Sequence, residues 1–82
     1  EVLFYLGQAY LAGDDPANAL KVFSSLQAEE EFPLSDVNQW YMALTHLKLK
    51  DIESAKEILQ QIIGNTNHAY RERSETLIEK IN

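Results

Sequence analysis

The stretch FYLGQAYLAGDDPANALKVFSSL, residues 4–26, has a counterpart later in the chain in WYMALTHLKLKDIESAKEILQQI, residues 40–62. The two stretches align without a gap at a shift of 36 residues, from 4 to 40. Few residues are identical, but the order of small and bulky residues is kept. The aligned pairs include Phe4 with Trp40, Gly7 with Ala43, Asp15 with Asp51, Ala19 with Ala55 and Phe23 with Leu59. A period in this range is typical of helical repeat proteins, so the sequence predicts two copies of one structural unit.

Each copy has the pattern of two helices joined by a tight turn. In the first copy, residues 1–28, a helix over about 1–12 is followed by a break and a second helix. Asp15 is a good N-cap for that second helix, and Pro16 suits its first turn. Small residues face each other across each pair, Gly7 with Ala19 and Ala43 with Ala55, so the helices of a pair are expected to approach closely. Phe23 and Leu59 then fill the space further along.

The remaining helix limits follow from caps and helix breakers. Pro33 cannot continue a helix, so residues 29–35 are predicted to be a linker. The third helix runs to about Leu49, and Gly64 is placed to end the fourth in a left-handed conformation. The predicted N-caps are Ser35 or Asp36 for the third helix, Asp51 for the fourth and Asn67 for the fifth. The predicted fold is all-α, with antiparallel helix pairs in 1–28 and 36–64 and a C-terminal capping helix over 67–82.

The order of residues in the two copies resembles that of a known repeat. A bulky residue, Leu-Gly, Tyr, a Gly-Asp turn, Ala and an aromatic residue follow one another, with Pro33 between the copies. The first copy carries this pattern in Leu3, Leu6, Gly7, Tyr10, Asp15, Ala19 and Phe23, and the second in Met42, Ala43, Asp51, Ala55 and Leu59. The pattern resembles the tetratricopeptide repeat, whose helix pairs stack into an α-α superhelix. The second copy departs from it at His46, where Tyr is usual, and at Lys50, where Gly is usual. The ending NHAYRERSETLIEKI is similar to the close of bacterial proteins of this family.

The third helix carries apolar residues on two sides. On a helical wheel one continuous arc, called here the aromatic arc, holds Val37, Trp40, Tyr41, Leu44, Leu47 and Lys48. The resemblance implies that Met42, Ala43, His46 and Leu49, on the other side, pack within the solenoid. It also implies that the aromatic arc lines a concave groove that binds a peptide or helix. The expected partner-binding residues are Phe4, Tyr5, Gln8, Leu11, Trp40, Tyr41, Leu44, Leu47 and Lys48.

Three alternatives stay open for the aromatic arc: neighbouring helices of the same chain, a second copy or a partner protein can cover it. The predicted function is a non-catalytic protein–protein interaction module; the alternatives are a self-association or scaffold domain and an accessory domain of a larger enzyme or regulator. Lys48 is the one basic residue among the predicted groove positions. The clamp with which some members of the family hold a C-terminal carboxylate is therefore not expected, and a more apolar peptide or helix is the predicted ligand.

Composition and motifs argue against other classes of function. The formal net charge of −6 disfavours a nucleic-acid surface or an anionic membrane as partner. There is no cysteine, and no sequence motif for metal, nucleotide, cofactor or nucleophilic catalysis is present. His46 is predicted to be packed and His68 to be exposed. Because EVLFYLG already has a helical pattern, the chain is expected to be a piece of a longer protein. Its compartment is left open, with the cytoplasm as default and the periplasm if a parent protein carries a signal.

Overall fold

A computed structural model describes residues 2–82, which form five α-helices. The helices are α1 Val2–Ala12, α2 Pro16–Gln27, α3 Ser35–Lys48, α4 Ile52–Ile63 and α5 Arg71–Ile81. Helices α1 and α2 pack as one pair, α3 and α4 as a second, α2 packs on α3, and α5 packs on α4. This order confirms the predicted all-α class, with two helix pairs and a C-terminal helix. Glu1, which the first predicted helix includes, lies outside the described residues.

The turns inside the two helix pairs have the same backbone geometry. Asp14 and Lys50, which are aligned by the 36-residue shift, adopt φ values of 61° and 62°. The next residue closes each turn with a hydrogen bond from its N–H: Asp15 to the Tyr10 carbonyl at 2.8 Å and Asp51 to the His46 carbonyl at 2.9 Å. The repeat is therefore present in the backbone as well as in the sequence.

Asp15 and Asp51 cap α2 and α4 as predicted. Their carboxylates accept the backbone N–H of Asn18 at 3.4 Å and of Ser54 at 3.2 Å. Hydrogen bonds from Ser54, through its side chain first and its backbone second, hold the pKa of the Asp51 carboxyl below its ordinary value, and His46 adds to this effect. Both caps are local features, which a sequence pattern can identify.

The predicted N-caps of α3 and α5 are wrong, and so is the left-handed conformation predicted for Gly64. α3 begins after Leu34 and α5 after Tyr70, and no side chain caps either helix. The Asp36 carboxylate, predicted as a cap, instead accepts the N–H of Ala69 at 3.0 Å, so a tertiary contact takes the place of the local one. Asn67 lies before the start of α5, and Gly64 ends α4 with an ordinary right-handed φ of −68°.

Buried small residues lie in both helix pairs, but the side chain that faces Gly7 is Phe23 and not the predicted Ala19. Gly7 is buried, and a Cβ atom added there would lie 2.6 Å from Cε1 of Phe23. Ala19, Ala43 and Ala55 are fully buried. The bulky ring of Phe23 therefore occupies the space that the missing side chain of Gly7 leaves, which explains how the small and large positions of the sequence fit together.

Two groups of buried side chains form the core. The first cluster consists of Phe4, Leu11, Ala19, Phe23, Leu26 and Phe32, and the second of Ala43, Leu59 and Ile62. Phe32 belongs to the segment predicted as a linker, yet its ring is buried, so this connection contributes to the core. The expected packing of Met42 is found at the first cluster, whereas Leu49 is 38% exposed because α3 ends at Lys48.

A buried polar residue joins the two helix pairs. The side-chain amide of Asn38 in α3 donates to the Phe23 carbonyl at 2.9 Å and to Oε1 of Gln27 at 2.8 Å, both in α2. Asn38 is completely buried, so the removal of these bonds would leave polar groups without water. Within residues 2–82, no helix has both the length and the apolar character needed to cross a membrane.

Candidate functional site

The two large aromatic residues of α3 contact different neighbours. Tyr41 packs against the first cluster, with its ring centre 5.8 Å from those of both Phe4 and Phe23. Trp40 packs towards the start of α5, and its ring is stacked on that of Tyr70, directly before this helix, at 5.4 Å and an interplanar angle of 14°. One helix therefore supplies side chains to both parts of the core.

Tyr70 contacts a cation as well as Trp40. The guanidinium carbon of Arg73 lies 5.2 Å from the centre of the Tyr70 ring, within the distance of a cation–π interaction. Because Tyr70 directly precedes α5, the position of its ring is linked to the start of that helix. The Trp40–Tyr70–Arg73 contact thus joins α3 to the first turn of α5.

His68 holds the segment before α5 on α3. It was predicted to be exposed, but its side chain is buried with 6% of the residue exposed. Its Nδ1 accepts the N–H of Tyr70 at 3.1 Å, so the proton is on Nε2, which donates to Oε1 of Gln39 at 3.1 Å. Oδ1 of Asp36 lies 3.5 Å from the same Nε2. These partners in α3 explain why His68 is buried. Together with its bond to the Tyr70 N–H, they hold the backbone at Tyr70 in place.

A groove lies between α3 and α5, beside the Trp40 ring. The α3–α5 groove has a volume of about 390 Å³ and is lined by Trp40, Glu72, Arg73, Thr76, Leu77 and Lys80. Arg73, Leu77 and Lys80 follow one another at spacings of four and three residues, which places them on one face of α5. Leu77 also packs against the second cluster. The groove thus has an apolar floor and two long cationic side chains along one wall.

The structure places the nine predicted binding residues in three settings. Phe4 and Leu11 lie in the first cluster, so their placement on an open groove surface is corrected: the packing of α1 on α2 buries them. Tyr5 is 63% exposed, and Lys48 is exposed as well. The remaining five are half-buried, namely Gln8, Trp40, Tyr41, Leu44 and Leu47. Of the nine, Trp40 is the one that lines the α3–α5 groove.

The contribution of α5 to this site was not predicted from the sequence. The helix over 67–82 was predicted only as a capping helix, and no local signal connects Arg73 and Lys80 with Trp40. The spacing of Arg73, Leu77 and Lys80 was a usable signal, because it joins two cations and an apolar residue on one face. Among the described residues, no group of three or more histidine, aspartate or glutamate side chains is arranged to hold a metal ion.

Comparison with known families identifies the repeat. A family model for the tetratricopeptide repeat matches residues 1–34 and 38–65, which is more than half of the chain. The chain belongs to the tetratricopeptide repeat family. Neither a curated protein nor a solved structure matches the chain. Tetratricopeptide repeats generally mediate protein–protein interactions and are typically non-catalytic. The two matched segments contain α1, α2, α4 and all of α3 except its first three residues.

Proposed function

We propose that this tetratricopeptide repeat domain binds a peptide or helix of another protein along the aromatic arc of α3 and in the α3–α5 groove. The observation that carries the proposal is the incomplete burial of the arc. Ala43 and Thr45, on the other sides of α3, are fully buried, whereas Trp40, Leu44 and Leu47 remain half-buried after all neighbouring helices have packed. Partly accessible aromatic and aliphatic residues are typical anchors of a protein interface.

The groove beside Trp40 supports the same proposal. Its volume of about 390 Å³ falls in the range of pockets that take a bulky side chain or a small ligand. Trp40 is held from behind by Tyr70, and Tyr70 by the His68 contacts, so the floor of the groove is arranged before a partner arrives. A prearranged surface lowers the entropic cost of binding.

The experiment selects ligands and then maps them. Peptides from a displayed random library are selected on the immobilised domain and titrated into ¹⁵N-labelled protein. We expect the largest amide shifts at Trp40, Leu44 and Leu77. Leu44→Ser should weaken the selected peptides about tenfold, because it removes apolar contact area from the arc. Leu49→Ser is the matched control, since it makes the same change directly after α3 at a residue outside the arc.

Two results would contradict the proposal. The first is a failure of the library to give peptides that bind above background, or amide shifts confined to α2 and α4. The second is a molar mass by light scattering that doubles with concentration in the unchanged protein and stays monomeric in Leu44→Ser. That second result would favour self-association through the same arc.

A further inference from the structure

We propose that the α3–α5 groove takes an extended acidic segment of a partner protein, in which one bulky apolar side chain lies between two carboxylate side chains. The inference rests on the proposed function and names the chemistry of its ligand. It differs from the apolar ligand predicted from the sequence, because α5 brings two cations to the Trp40 groove that the sequence pattern did not connect with it.

The cations in the groove lack carboxylate partners. The chain has 13 acidic and 7 basic residues, yet Arg73 and Lys80 both line this groove, with Glu72 as its one acidic residue. Both cations are exposed, and no ion pair to either is found within residues 2–82. Arg71, two residues before Arg73, shows the contrast: it pairs with Glu75 at 3.6 Å and donates to the Ile63 carbonyl at 2.9 Å. In an acidic chain, two such cations beside one groove indicate an anionic ligand.

The spacing of the cations favours two carboxylates rather than one. Arg73 and Lys80 are seven residues apart on α5, which corresponds to about 10 Å along the helix axis. A single carboxylate would have to draw both cationic side chains together over Leu77, which also lines the groove between them. In an extended peptide, residues i and i+4 lie on the same side about 13 Å apart, a separation that the long arginine and lysine side chains can accommodate.

The apolar part of the ligand follows from the same geometry. Residue i+2 of an extended segment projects on the same side as i and i+4, midway between them. Leu77 lies between Arg73 and Lys80 on α5, and the Trp40 ring lies across the groove from it. An aromatic or large aliphatic side chain at i+2 would therefore contact Trp40 and Leu77 while the flanking carboxylates reach the cations. The motif is acidic, any residue, apolar, any residue, acidic.

A nucleic acid is a poorer match for these cations. Its affinity depends on many basic contacts to successive phosphates, and this chain has an excess of six negative charges and a glutamate in the groove wall. Two cations with an apolar floor between them fit a short peptide segment better. An oligonucleotide is therefore included in the test as a competing ligand.

The experiment compares three fluorescein-labelled peptides of the same length, GSDSFSDSG, GSNSFSNSG and GSKSFSKSG, by fluorescence anisotropy on the unchanged domain. Two partly exposed ion pairs correspond to about tenfold in affinity, so the aspartate peptide should bind about tenfold more tightly than the asparagine peptide. This difference should shrink at high salt, because ions screen exposed charges. The lysine peptide should bind most weakly.

Charge reversal in the protein provides the decisive comparison. Arg73→Glu combined with Lys80→Glu should reverse the preference, so that the lysine peptide becomes the best ligand. A gain of binding cannot result from misfolding, and far-UV circular dichroism checks the helical content. Lys21→Glu combined with Lys56→Glu changes the net charge equally but lies outside the groove lining, and should keep the preference for aspartate.

Several results would overturn the inference. The first two are equal binding of the aspartate and asparagine peptides, and no binding of any of the three peptides. The third is a reversed peptide preference in the Lys21→Glu and Lys56→Glu control. The fourth is tighter binding of a short oligothymidylate than of the aspartate peptide. If library-selected peptides still bind at Leu44 while the aspartate preference is absent, the acidic motif is wrong and the proposed function stands. If the library also gives no ligand, both the acidic motif and the proposed function are contradicted.

Discussion

Lys50 adopts a left-handed backbone conformation, with a φ of 62°, in the turn between α3 and α4. This conformation is costly for a residue with a Cβ atom and free for glycine, which is the usual residue at this point of the repeat. Lys50→Gly should therefore raise the free energy of unfolding by about 0.5–1 kcal/mol, measured by urea denaturation. Lys48→Gly, inside the last turn of α3, should lower it by about 0.5–1 kcal/mol. A loss of stability in Lys50→Gly would contradict the assigned turn.

At the scale of single residues, the sequence predicted what depends on close neighbours in the chain. The Asp15 and Asp51 caps bond to residues three positions away, so their pattern is visible in a few letters. His68 was predicted to be exposed because its partners, Gln39 and Asp36, belong to a distant helix. The residues next to His68 in the chain do not show that the half-buried Gln39 of α3 accepts its hydrogen bond.

At the scale of elements, Gly7 in α1 lies directly against the ring of Phe23 in α2. Gly7→Ala would place a Cβ atom 2.6 Å from Cε1 of Phe23. The ring cannot move away easily, because it is fully buried and packs against Phe4 and Tyr41 at 5.9 and 5.8 Å. The substitution should lower the free energy of unfolding by about 1–3 kcal/mol in chemical denaturation.

Gly64→Ala is the matched control for this substitution. Gly64 has a φ of −68°, and an added Cβ atom would meet its nearest neighbour, the Gln60 carbonyl, at 3.4 Å. Alanine there should be neutral or stabilising by up to about 1 kcal/mol, since it reduces the freedom of the unfolded chain. Equal losses in both variants would show that the Gly7–Phe23 contact does not limit the approach of α1 and α2.

The docking of α5 depends on His68. Its removal in His68→Ala breaks the bonds to the Tyr70 N–H and to Gln39, and leaves half-buried polar groups without these partners. Local opening of α5 should then become easier by about 1–3 kcal/mol, seen as faster amide hydrogen exchange in Arg71–Ile81 with little change in α1 and α2. Asn67→Ala, at an exposed neighbouring residue, should leave the exchange unchanged. Uniformly faster exchange in all helices, or none, would contradict the local role of His68.

The sequence predicted the helices better than their mutual arrangement. Repetition of small and large residues was enough to predict two helix pairs, because each pair is built from contacts between consecutive helices. The α3–α5 groove combines Trp40 with Arg73, Leu77 and Lys80 from a helix that lies outside the aligned repeat. The burial of Phe4 and Leu11 was missed for a related reason: a wheel shows which residues share a face and does not show which face the neighbouring helix covers.

At the scale of the whole molecule, α3 is shared by both halves of the core. Tyr41 packs on the first cluster, whereas Trp40 and Ala43 belong to the second cluster and its surroundings. Repeat proteins depend on contacts between neighbouring units, so a helix that contributes to two units couples their stability. Trp40 is the one tryptophan of the chain, and its fluorescence therefore reports on the half of the core that contains α5.

Tyr41→Ala tests this coupling, because it removes ring contacts with Phe4 and Phe23 while Trp40 and its stack on Tyr70 are unchanged. If the two halves unfold together, the urea midpoints from Trp40 fluorescence and from far-UV circular dichroism should fall by the same amount. The corresponding loss in the free energy of unfolding should be about 2–4 kcal/mol. Tyr5→Ala, at a tyrosine that is 63% exposed, should shift both midpoints much less. An unchanged Trp40 midpoint, together with a separate circular dichroism transition at lower urea concentration, would show that the two helix pairs unfold independently.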